Sequence, residues 1–138
     1  MMADIEMMFH SFRVSPQHRN FLRFLWYADN DPEMPVAKYR IDVHLFGNAP
    51  SPAIAMFGLQ KTAHDGADQF GSEAEDFVLR SFYVDDGLKS VASASEAISL
   101  VKATQRMLAT ANIKLHKIVS NNAEVLVAFP ERYRATGL

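Results

Sequence analysis

The chain has 138 residues, 49% of them hydrophobic and 22% charged, with a formal net charge of −2. That length and balance suit one compact domain, and the charge makes no overall electrostatic case for nucleic-acid binding. Cysteine is absent, which excludes disulfide scaffolds, thiolate zinc sites and cysteine nucleophiles; with no bilayer-length apolar run and no secretory leader, an intracellular protein with no membrane partner is expected.

Residues 2–5 read as a short strand and are followed by a short helix. Phe21 to Tyr27 (FLRFLWY) reads as a strand, and ADNDPEMP from Ala28 to Pro35 as its loop. Lys38 to Leu45 alternates. Tyr39, Ile41, Val43 and Leu45 fall on one face and Lys38, Arg40, Asp42 and His44 on the other, the pattern of a half-buried strand. Ser51-Pro52 starts a helix, with the serine as cap, and that helix is expected to end near Ala63. His64 to Glu75, rich in Gly, Asp and Ser, reads as a second loop.

Phe77 to Val84 reads as an apolar strand that turns through Asp85-Asp86-Gly87 and returns over Leu88 to Val91. Ser93 with Glu96 is a capping box, and the stripe of Ile98, Val101, Leu108 and Ala111 predicts a helix over 94–111. Ile113 to Val119 and Glu124 to Phe129 are expected to form a hairpin over Ser120-Asn121-Asn122. The fold class is therefore α+β, a mainly antiparallel sheet with helices on one face.

The sharpest chemistry lies in Tyr83-Val84-Asp85-Asp86. Adjacent carboxylates at a hairpin apex repel one another and become favourable when a divalent cation joins them to a third acid. Asp-Asp-Gly is also a common surface turn. Asp4 is the candidate third acid, and a helix cap is its plainer explanation. The five histidines (10, 18, 44, 64 and 116) lack metal-ligand spacing and read as surface or structural groups, and the seven methionines as core filler.

With these residues in view, the sequence resembles reverse transcriptases, most closely those of BEL/Pao-type long-terminal-repeat retrotransposons. DIEMMFHSFRV looks like the first catalytic block of that family. FLRFLWY and KYRIDVHLFGNAPSP look like the strands and second block that follow, SFYVDDGLKSV like the third and NIKLHKIVSN like the fourth. The resemblance spans nearly the whole chain in order. It implies a ferredoxin-like polymerase palm over residues 1–130, truncated at its first strand, and a short basic tail over 131–138.

It further implies an RNA-directed DNA polymerase that uses two Mg2+ (or Mn2+) ions. Asp4, Asp85 and Asp86 would be catalytic metal ligands, joined by the backbone carbonyl of Ile5. Phe9 would exclude a ribose 2′-hydroxyl, and its plainer reading is a core aromatic. Gly47 and the Ser51-Pro52 helix start would lie under the incoming nucleotide. Phe46 stands where many reverse transcriptases carry glutamine. Tyr83 would pack near the primer terminus, and Lys117 would be a proton donor to pyrophosphate. Partners would be an RNA or DNA template-primer, deoxynucleoside triphosphates and the rest of a retroelement polyprotein. Finger and thumb segments are expected to lie outside this sequence. The alternative is a catalytically inactive remnant or a small α+β interaction module. A nucleotide cyclase is disfavoured because no GGDEF-like hairpin is present.

Overall fold

A computed structural model describes residues 1–135 of the chain. At its centre is strand β1 (Met2–Ile5), where period-two alternation buries Ala3 and Ile5 and turns Met2 and Asp4 the other way. β1 pairs antiparallel with β5 (Asp86–Leu88) on one side and with β6 (Leu115–Val119) on the other. β4 (Phe82–Tyr83) joins the outer edge of β5, giving the sheet order β4-β5-β1-β6. The short strand expected over residues 2–5 is found there: all four residues of β1 have partners, and β1 is an interior strand.

Three helices, α1 (Ser51–Phe70), α2 (Ser72–Ser81) and α3 (Ala94–Ala109), pack on one another. They place Leu59, Ala63, Val78, Val101 and Met107 in one apolar cluster with Ala3 and Ile5. Helices therefore cover the Ala3/Ile5 side of the sheet, and Asp4 lies on the opposite side. The α+β class with an antiparallel sheet is borne out. So is the Ser93 cap of α3: its hydroxyl accepts from the Glu96 amide at 3.2 Å, and the Glu96 carboxylate accepts from the Ala92 amide at 3.2 Å.

Several expected elements are corrected. The strand over Phe77 to Val84 is mostly helix α2. Ala74, Phe77 and Val78 are its buried residues, a spacing of three and four rather than two, and Glu73 and Glu75 suit its N-terminus. The loop over His64 to Glu75 is absent, because α1 runs on to Phe70 and breaks only at Gly71. Gly66, which reads as a breaker, instead gives a close approach between helices: a Cβ there would stand 2.8 Å from Cγ of Met107. The strand over Glu124 to Phe129 is a short helix α4 (Ala123–Val127). Asn122 caps it at 2.8 Å, and Val125 and Phe129 are buried one turn apart.

The expected strand from Lys38 to Leu45 is shifted. A separate hairpin pairs β2 (Arg23–Tyr27) with β3 (Val36–Arg40), and both of its faces are largely exposed. The buried residue of the segment is His44, from the face expected to be polar. Its Nδ1 lies 3.2 Å from Oγ of Ser51, so that hydroxyl is engaged there rather than capping α1. Of the expected basic tail, residues 131–135 fold back on β6, through a parallel bridge of Arg134 to Ile118. Residues 136–138 lie outside the described residues.

Candidate metal centre

Two strands and one turn bring the expected acids together. Asp4 is the cross-strand partner of Asp86. The amide of Ile5 donates to the carbonyl of Asp85 at 2.9 Å, which makes Asp4 and Asp86 a non-hydrogen-bonded pair, the type that sets side chains closest. Asp85 occupies the two-residue turn Val84-Asp85 between β4 and β5, where Tyr83 pairs with Asp86. The turn sits one residue earlier than expected, so Asp86 opens the returning strand, which ends at Leu88.

Val84 takes φ 57, a left-handed conformation that β-branched residues resist. Strain of this kind concentrates at functional sites. The rest of the hairpin is held by an aromatic seat. Gly87 faces Phe82 across the hairpin, and a Cβ on Gly87 would stand 2.5 Å from the Phe82 ring. That ring in turn packs 5.1 Å from Phe77 on α2.

The electrostatics follow from this crowding. Partial burial raises the Asp86 carboxyl above the usual carboxylate range, the charges of Asp85 and Asp4 raise it further, and Lys117 opposes them. Asp4 is also the most heavily partnered of the three. His116, its cross-strand neighbour on β6, places Nε2 2.6 Å from Asp4 Oδ1, and Nζ of Lys117 lies 3.6 Å from Oδ2. Next to them, Glu6 pairs with Lys114, which holds its carboxyl below the usual range.

An open cavity of about 450 Å³ sits against this cluster, lined by Asp4, Ile5, Phe9, Phe46, Asp85, His116 and Lys117 among others. The rings of Phe9 and Phe46 lie 6.0 Å apart and wall one side. Tyr83 stands beside the acids and is 85% exposed. Gly47 follows Phe46 at φ 84 with open space where a side chain would go. No protein-family model and no curated protein matches this chain.

Donor type suits a hard divalent cation: the backbones of Asp4, Asp85 and Asp86 are neighbours, and Ile5 lies beside them. Side-chain placement is less complete. Among the described residues no group of three or more His, Asp or Glu side chains is gathered closely enough to hold a metal ion. The participant that sequence reading missed is His116, taken there as a surface or structural group. Its signal is register: His116 is a polar residue on β6, and its place opposite Asp4 is visible only once β6 is paired with β1.

Proposed function

We propose that this chain is a reverse-transcriptase-type polymerase palm that carries out two-metal nucleotidyl transfer to a primer 3′-hydroxyl. The observation that carries the reading is the cross-strand pairing of Asp4 with Asp86, with Asp85 in the intervening turn. The sheet order β4-β5-β1-β6 supports a ferredoxin-like palm, because the hairpin and the strand bearing Asp4 are immediate neighbours.

Asp4, Asp85 and Asp86 would hold two Mg2+ or Mn2+ ions, with the Ile5 carbonyl as a further ligand. The ions supply activation of the attacking oxygen and stabilisation of the leaving oxygen. The chain's own groups do the rest. Phe9 and Phe46 wall the cavity beside the acids, where a sugar ring would meet an aromatic surface. Tyr83 offers an exposed ring at the hairpin edge, suited to stacking under a primer base. Lys117 places an ammonium within reach of the same acids, a source of a proton for pyrophosphate. RNA or DNA template-primer and deoxynucleoside triphosphates are the partners of this reading, and a retroelement polyprotein its setting.

A second reading has its own observation. Asp4 is already satisfied by His116 and Lys117, as in a structural ion-pair cluster of an inactive remnant or small interaction module. Primer extension separates the two. The chain is incubated with an RNA template, a DNA primer, deoxynucleoside triphosphates and Mg2+ or Mn2+. The polymerase reading expects extension that disappears in Asp85→Asn and admits ribonucleotides in Phe9→Ala. Equal extension from Asp85→Asn, or Mn2+ binding that is unchanged in that variant, favours the remnant.

A further inference from the structure

Successive side chains of a regular strand point to opposite faces of the sheet. His116 and Lys117 depart from this, since both approach the carboxylate of Asp4. A bulge explains it. Met2 pairs with Val119 and Asp4 with His116, so two steps along β1 answer three along β6. Lys117 absorbs the extra residue by taking φ 46, a left-handed conformation that side-chain-bearing residues resist. The chain thus holds a strained lysine in a strand, and the result is a hydrogen-bonded imidazole and a nearby ammonium on one carboxylate.

The two oxygens of Asp4 are held differently. Oδ1 lies 2.6 Å from Nε2 of His116, whose side chain is 15% exposed. An ionised carboxylate only accepts, so the ring nitrogen donates. Oδ2 faces Nζ of Lys117 at 3.6 Å, beyond hydrogen-bond distance, and that side chain is 59% exposed. We infer that His116 is a positioning residue that fixes the Asp4 carboxylate through Oδ1, while Lys117 is a displaceable cation that stands at Oδ2 until a divalent ion takes its place. This rests on the metal-centre reading above. It splits the bulge into a rigid half and a replaceable half.

The probe is Mn2+ alone, added to the full chain, with free Mn2+ followed by electron paramagnetic resonance and folding checked by thermal melting. His116→Phe keeps a ring of similar size and removes the donor. It should weaken Mn2+ binding by about 10- to 100-fold. His116→Gln, which restores an N–H donor, should recover most of that loss. Lys117→Met should bind Mn2+ as well as the wild type or more tightly. In the metal-free wild type, the Nε2 proton of His116 should be protected from exchange, and Asp4→Ala should abolish that protection.

Wild-type affinity in His116→Phe, or an unprotected Nε2 proton, overturns the positioning role while leaving the metal centre standing. If Asp85→Asn binds Mn2+ as well as the wild type, the metal-centre reading fails and the positioning role falls with it.

Discussion

Replacing Asp86 with Asn should stabilise the metal-free protein and destabilise it relative to the wild type once a divalent ion is present. Asp86 sits opposite Asp4 and beside Asp85, and both acids push its carboxyl towards the neutral form. Opposed residues of a non-hydrogen-bonded pair stand about 4.5 Å apart, where two charges in near-aqueous dielectric repel by roughly 0.9 kcal/mol. A screening length of about 8 Å at physiological salt halves this for an exposed group, and Lys117 offsets part of the rest. With two acidic neighbours and some relief of burial, the net gain from Asp86→Asn is about 0.5–1 kcal/mol. For a chain of this length that corresponds to a rise of roughly 2–4 °C in Tm.

A divalent ion reverses the order. At ten times its Kd it stabilises the wild type by about 1.4 kcal/mol, and the variant by much less. The assay is thermal denaturation of both proteins in chelator and in graded Mn2+, at low and high NaCl. The melting order should invert on adding Mn2+, and the variant's advantage in chelator should shrink at high salt. An Asp86→Asn protein that melts below the wild type in chelator would refute the repulsion on which the reasoning stands.

The helical register of α2 makes Val78 buried and Leu79 half-buried, the reverse of a strand in which Phe77 and Leu79 share the core. Val78→Ala should therefore cost roughly 2 kcal/mol in urea denaturation, and more than Leu79→Ala; equal costs would speak against the helix. Gly87→Ala should cost about 1–3 kcal/mol, because the new methyl drives the Phe82 ring against Phe77, and Mn2+ affinity should fall with it. An unchanged Tm in that variant would show that the ring is free to move. Burial lowers the pKa of His44, so the folded state resists its protonation. Its contribution to stability is whole above about pH 6.5 and is lost as the pH falls from there towards the lowered folded value. Urea midpoints at pH 7.5 and 5.5 should differ less in His44→Gln than in the wild type.

Legibility of the fold varied with the kind of signal. Local chemistry was readable: the Ser93 and Glu96 capping box, the start of α1 at Ser51 and the pairing of Phe24 to Tyr27 with the strand after the ADNDPEMP loop. Short apolar runs were not, because Phe77-Val78-Leu79 fits either period until Ala74 is counted. Gly66 misled for a related reason, since one glycine serves a turn or a helix crossing equally well and only Met107 decides between them. At the candidate site, the residue types of Asp4, Asp85 and Asp86 were visible at once. Their meeting was an expectation of the resemblance, and the backbone adjacency of Asp4 and Asp86 comes from β1 pairing with β5. His116 and the bulge at Lys117 were invisible, as register is a property of paired strands.

The central claim is that Asp4, Asp85 and Asp86 share a divalent ion. Paramagnetic broadening of backbone amide resonances by substoichiometric Mn2+ tests it most directly. Broadening should begin at residues 4–5 and 85–86 and should vanish in Asp85→Asn. Broadening that centres elsewhere, or that persists unchanged in Asp85→Asn, would contradict the claim.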